Sequence, residues 1–263
     1  MSSILSKCHT FVFSESYAFA DMVRKSIFES DYMIDPIDVA SNLDRQITKP
    51  QKNTLLHDYI GYVVRDHLNF YFRGGGWEYE DISPIFPMLE SHQIEFLELD
   101  EYIMDLKRDD DTVEEIEVTE DDIEIFKFQY AFEYIEPIVH EKFIPIIVTE
   151  VFSLLFSDRE AMKMFNIKVA ESIGERTKRN TYWPNWLERA LFYREKGLCA
   201  ICKADLSSMF HSHGKLAIDH IVPLALNGVN DPTNLQILCQ ACNGRKSGHS
   251  IETSNAIPLF WDV

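Results

Sequence analysis

The sequence predicts an α+β protein, with a mainly α-helical region over residues 1–175 and a small mixed domain over residues 176–263. Three observations carry this expectation. Apolar residues recur at helical spacing in the first part, the second part holds two short β-branched runs divided by turn formers, and charge and cysteine usage both change near residue 175. With 46% hydrophobic and 26% charged residues, the 263-residue chain has a globular composition that excludes wholesale disorder. The formal charge is −18, which for the chain as a whole argues against a nucleic-acid partner. The average hides a division: residues 176–263 carry a net +3 and the first 175 residues −21.

The first helix is expected over about residues 16–28, where Tyr17, Phe19, Ala20, Val23 and Ile27 can share a face. A second follows over residues 54–71, where Leu56, Tyr59, Ile60, Val63, Val64, His67 and Tyr71 keep i, i+3, i+4 spacing. Gly74-Gly75-Gly76 breaks the chain, and without a following Lys-Ser/Thr it is a loop and not a phosphate-binding turn. Pro84 and Pro87 should keep the next stretch irregular. Residues 95–124 hold 15 acidic side chains against Lys107 and Arg108, threaded with apolar residues such as Phe96, Leu99 and Ile103. This pattern fits a solvated helix face and an exposed acidic loop at Asp109-Asp110-Asp111. The sharper reading is a surface that docks a basic partner, or one that imitates DNA charge. The spacing is not that of an EF-hand.

Thr119 with Asp122 is a helix cap, and Pro137 and Pro145 should interrupt the helix it opens. Ser157-Asp158-Arg159-Glu160 opens another, ending near Gly174. Residues 175–182 are polar and basic, as a linker would be. The N-terminus lacks the apolar core and cleavage site of a secretory signal, and the apolar run at residues 144–156 is too short to span a membrane and contains Glu150. The expected location is the cytoplasm, with no membrane partner.

Beyond the linker, Pro184 opens a helix that stops at Gly197. Cys199 and Cys202 then form one C-x-x-C pair, and Cys239 and Cys242 a second, while Cys8 stands alone. In a reducing compartment two such knuckles read as four thiolate ligands to one structural Zn²⁺, with free buried cysteines as the bland alternative. His211 and His213 could replace a cysteine but read as polar loop residues. Between the knuckles, residues 217–224 form an apolar, β-branched strand ended by Pro223, residues 227–234 a run of turn formers, and residues 235–238 a second strand. Asn243-Gly244-Arg245-Lys246 should begin a short helix, completing a ββα unit.

The stretch IDHIVPLALNGVNDPTNLQILCQACNGRKS, with CAIC upstream, resembles the HNH endonucleases with a zinc-bound ββα-metal fold, over about residues 183–248. The first 175 residues resemble no family. The resemblance implies that His220 is the general base, that Asn234 holds the loop and orients that base, and that Asp219 and Asn243 ligate the catalytic cation. Some members have a further histidine ligand where Ser247 stands here. A carboxylate and an amide oxygen are hard donors, suited to Mg²⁺ or Mn²⁺. Asp219 and His220 are adjacent and would face opposite sides of a regular strand, so the strand must end or bulge there.

The implied activity is metal-dependent hydrolysis of DNA, leaving 5′-phosphate and 3′-hydroxyl ends. Arg245 and Lys246 are the expected phosphate contacts, aided by Arg176, Lys178 and Arg179. A catalytically inactive zinc-knuckle binding module and an RNA-directed nuclease remain open. The acidic residues 1–175 are expected to dock a protein partner, self-associate or restrain the nuclease. By analogy of architecture, the chain resembles an effector of a bacterial antiphage or restriction system.

Overall fold

Helix α1 (Ser16–Phe28) and helix α3 (Leu55–Asn69), with α2 (Leu43–Thr48) between them, form where the apolar spacing places them. The structure, a computed structural model, describes residues 10–29, 34–73, 77–109, 119–211 and 216–258. Cys8, the glycine triplet at 74–76, Asp110, Asp111 and His213 lie outside the described residues. The chain continues through α4 (Ile85–Ser91), α5 (Leu99–Asp109), α6 (Glu120–Gln129), α7 (Glu136–Ile138), α8 (Ile144–Leu155) and α9 (Arg159–Ile173). Then come α10 (Asn185–Arg194), α11 (Ser207–His211), strand β1 (Ala217–His220), strand β2 (Leu235–Leu238) and α12 (Gln240–Lys246). The mixed helical and two-stranded content is the α+β class expected.

The prolines depart from expectation. Pro87 lies inside α4, with Pro84 at its N-cap, because a first-turn proline gives up only an N–H that has no helical partner. Pro137 and Pro145 do not end their helical stretch either. π-helical turns over Tyr130–Ile135 and Val139–Phe143 precede α7 and α8, and their wider hydrogen-bond spacing absorbs the missing donors. The caps at Thr119 and Gly174 fall where they were placed, and that of α9 falls on Asp158, one residue beyond the Ser157 of the expected capping box. Thr119 and Asp122 bond reciprocally, Asp158 accepts from the Glu160 and Ala161 amides, and Gly174 closes α9 at φ +64°. That left-handed conformation suits glycine.

Packing divides the chain into two compact units along lines other than the charge boundary at 175/176. One comprises Met1–Phe19 with Val63–Glu150, the other Ala20–Tyr62 with Val151–Val263. In the first, Val64, Leu68, Ile85, Leu89, Tyr130 and Phe143 are buried. Its buried Glu150 carboxylate is met by the Val12 and Phe13 amides, at 2.9 and 3.1 Å, and by the Ser16 hydroxyl.

In the second unit, Val23 and Ile27 of α1, Leu56, Tyr59 and Ile60 of α3 and Met162, Phe165 and Val169 of α9 are buried. Each such side chain withdrawn from water contributes about 1.5–3 kcal/mol. A further cluster joins Leu187 and Leu191 of α10 to Leu235, Ile237 and Leu238 of β2, Leu206, Leu216, Cys199 and Cys242. β1 pairs antiparallel with β2, with Asp219 opposite Gln236 and His220 opposite Leu235. Residues 217–224 therefore form a shorter strand than expected, and α12 starts inside the second knuckle, so that residues 243–246 are its last turn.

Candidate metal centre and active site

The two knuckles converge. The Sγ atoms of Cys199, Cys202, Cys239 and Cys242 all lie within 4.8 Å of one another, and Cys202 and Cys239 approach to 3.7 Å. A tetrahedral zinc with Zn–S bonds of about 2.3 Å needs sulfurs roughly 3.8 Å apart, so the four donors suit a closed zinc site. The Cys239 amide donates to Cys199 Sγ at 3.3 Å and the Cys242 amide to Cys239 Sγ at 3.4 Å, as in knuckles whose backbone N–H groups support thiolates. Burial opposes ionisation of Cys199, yet the Cys239, Cys202 and Ile201 amides bring its thiol down to about 7. Burial and the surrounding thiols push Cys242 up to about 12. A dication would resolve that conflict by stabilising all four thiolates.

A second group of polar side chains lines one cleft: Asp219 and His220 at the end of β1, Asn243 of α12, Ser247 just beyond it, and Arg179. β1 stops at His220, which meets the requirement that the strand end where these adjacent residues serve one site. The Asn243 side chain has no hydrogen-bond partner among the described residues. The donor set of one carboxylate and one amide oxygen is hard and fits a small dication.

The loop from β1 to β2 is closed on itself by Asn234, which is fully buried. Its Oδ1 accepts from the Val222 amide at 2.8 Å, and its Nδ2 donates to the Val222 and Val229 carbonyls, both at 2.9 Å. Gly228 lies so close to this crossing that a Cβ would stand 1.9 Å from the Val222 carbonyl oxygen. No larger residue fits there without moving the loop.

Residues 199–248 match the family model described as HNH endonuclease. No curated protein and no solved structure matches the chain. The matched segment holds both cysteine knuckles, Asp219, His220, Asn234 and Asn243, while residues 1–198 lie outside it.

Within the HNH segment the residue in contact with His220 is one that sequence reasoning passed over. Asn230, taken as a turn former, is fully buried, with its Oδ1 3.0 Å from His220 Nε2. Its Nδ2 donates to the Thr48 carbonyl at 3.0 Å and the Lys178 carbonyl at 2.8 Å. Those two carbonyls fix which end of the amide faces the imidazole. An amide oxygen can only accept, so Nε2 carries the hydrogen and Nδ1 keeps the lone pair. Asn234 holds the loop, but Asn230 is the residue hydrogen-bonded to the ring, against which Trp183 also packs at 5.9 Å between centroids. Burial lowers the His220 pKa, opposed by the Asn230 bond and Asp219 and assisted by Arg179 and Lys246. The ring is therefore neutral at physiological pH.

Lys246 is the second departure. Expected on the surface as a phosphate contact, it is buried, its Nζ 3.0 Å from Asp219 Oδ2 and donating to the His220 carbonyl at 2.7 Å. An ammonium held in that way neutralises Asp219 and is not presented to a strand. Gln236 donates to the same Asp219 oxygen at 3.0 Å. Arg245 is exposed and ion-paired with Glu252 at 3.3 Å. Arg179, exposed, is the arginine lining the cleft, and Arg176 and Lys178 are exposed nearby in sequence.

Proposed function

We propose that this protein is a metal-dependent endonuclease that hydrolyses DNA phosphodiester bonds to 5′-phosphate and 3′-hydroxyl ends. The observation that supports it best is the meeting of Asp219, His220 and Asn243 in one cleft, inside a segment matching the HNH endonucleases and beside a four-cysteine centre. Asp219 and Asn243 would hold Mg²⁺ or Mn²⁺, which when bound offsets negative charge on the phosphate and on the departing 3′ oxygen. His220, neutral and hydrogen-bonded through Nε2 to Asn230, accepts at Nδ1 the proton of the attacking water. Arg179 meets a non-bridging phosphate oxygen at the cleft. Asn234 keeps the loop carrying this chemistry in one shape, and the cysteine centre, read as zinc, holds the two knuckles.

Residues 1–175, at −21, repel DNA, so we assign them a docking or regulatory role toward a protein partner or a second copy. Residues 1–175 and 176–263 are thus a functional division, acidic and catalytic. An HNH module joined to such a region fits an effector nuclease of a bacterial antiphage or restriction system acting with a partner. The test is plasmid nicking with Mg²⁺ or Mn²⁺, run beside single-stranded RNA. Wild type should nick DNA and label as 5′-phosphate, and His220→Ala should not, with its zinc content unchanged. Cleavage of RNA alone would reassign the substrate, and nicking by His220→Ala at the wild-type rate would remove His220 as the base.

A further inference from the structure

Outside the cleft just described, the second unit holds an unusual accumulation of positive charge. Arg159 at the start of α9 and Arg194 at the end of α10 both bind one carboxylate, Glu195. Arg194 reaches Glu195 Oε1 through Nε at 3.1 Å and Nη2 at 2.8 Å, and Arg159 pairs with Oε2. All three residues are buried: Arg159 is 4% exposed, Arg194 9% and Glu195 7%. Two guanidinium groups on one carboxylate leave a cationic excess where water cannot screen it.

The same side chains line a cleft closed by residues 254–258, and two further cations, Lys196 and Lys203, line it with them. Its acidic lining is Glu195 and Asp158, and Asp158 is already engaged by Arg24 at 2.8 Å. The Nη1 atoms of both buried arginines have no hydrogen-bond partner among the described residues. Burial brings the Arg159 guanidinium down to about 9. The helix terminus is not the unsatisfied feature, because Asn255 takes the Arg159 amide at 2.7 Å and Asp158 takes the next two.

We propose that this cleft is a binding site for a phosphate group, held by the unpartnered Nη1 groups of Arg159 and Arg194 with Lys196 at its exposed side. Guanidinium N–H donors suit a tetrahedral oxyanion, and a dianion would supply the negative charge the cluster lacks. Free phosphate and the terminal phosphate of a nucleotide share this chemistry. None of the residues lining the cleft lines the proposed nuclease cleft, so the two readings stand or fall separately.

The test is calorimetric titration of the full chain, at fixed ionic strength, with inorganic phosphate and separately with a nucleoside 5′-monophosphate. At least one probe should bind saturably with one site per chain. If only the nucleotide binds, the source is a phosphate ester, and if both bind alike, the phosphate alone is read. Lys196→Gln, which alters one exposed side chain, should weaken that binding about 5-fold, and Arg159→Gln at least 30-fold. Arg179→Gln in the other cleft should leave it unchanged. Should Arg159→Gln fail to fold, Lys196→Gln decides. Absence of saturable binding to both probes, an affinity indifferent to Lys196→Gln, or binding abolished by Arg179→Gln would each overturn the proposal.

Discussion

Replacing Asn230 by alanine tests the geometry around His220 with two independent readings. The change deletes three hydrogen bonds: Oδ1 to His220 Nε2 at 3.0 Å, and Nδ2 to the Thr48 and Lys178 carbonyls at 3.0 and 2.8 Å. At about 1 kcal/mol per buried hydrogen bond, the folded state should lose roughly 3 kcal/mol. That is a large share of a typical stability of about 5–15 kcal/mol, and it should lower the melting midpoint by roughly 6–12 °C. Catalysis should fall separately. Without an acceptor at Nε2, the proton is free to sit on either nitrogen and the ring to rotate, so the nicking rate should drop about 10²-fold even when the variant is fully folded. The assay is single-turnover plasmid nicking well below the variant's own midpoint, with zinc content and circular dichroism recorded on the same sample. An unchanged midpoint would refute the hydrogen-bond network. A lowered midpoint with nicking within twofold of wild type would refute the role of Asn230 in orienting the base.

Zinc should be present at about one per chain by elemental analysis, and Cys239→Ser should lose it and leave the segment around β1, β2 and α12 open to protease, because a closed thiolate site contributes folding energy. Asp231 offers a pH test: it is buried and accepts from the Leu55 amide at 3.0 Å and from Thr233, and burial first of all raises its pKa to about 6. Its raised folded value means the native state holds the proton longer than the unfolded chain. Stability should therefore fall by about 3 kcal/mol as pH rises from about 4 to 6 and then level off, and Asp231→Asn should flatten that segment of a urea-midpoint-against-pH curve. A fragment of residues 176–263 should bind zinc yet show no cooperative melting and no nicking, since it lacks Ile47 and Thr48, which anchor Asn230, and Leu55, which anchors Asp231. A folded, active fragment would show those anchors to be dispensable.

The parts of this fold that were legible in the sequence are those with local causes. Helix α3 follows from apolar residues repeating at the helical period, α9 from Asp158 at one end and Gly174 at the other, and the cysteine centre from two short knuckles whose spacing has few other uses. What was not legible depends on partners distant in sequence. Asn230 sits in a run of turn formers, and nothing local distinguishes it from Asn227. Its role arises because the carbonyls of residues 48 and 178 happen to stand beside it, and a carbonyl leaves no mark on composition. Lys246 read as a surface cation because lysine is seldom buried, but Asp219 and the His220 carbonyl satisfy it. Pro137 and Pro145 read as helix breakers because that rule assumes α-helical spacing, which the π-turns relax. The acidic region gave its charge but not its purpose, since solvated helices and docking faces draw on the same residues.

The Lys246–Asp219 pair means that the proposed nuclease site carries its own counter-ion. A divalent cation arriving at Asp219 competes with an ammonium already in place, so its apparent affinity is the difference between two bound states and not the full attraction of a bare carboxylate. The two proposed metal sites then differ in what surrounds them. Four thiolates outnumber the one guanidinium, Arg245, that reaches Cys242 Sγ at 3.7 Å, whereas the single carboxylate of the cleft already has an ammonium beside it. On the proposed reading, the nuclease would answer to the free concentration of magnesium or manganese as a dial, and its fold would not.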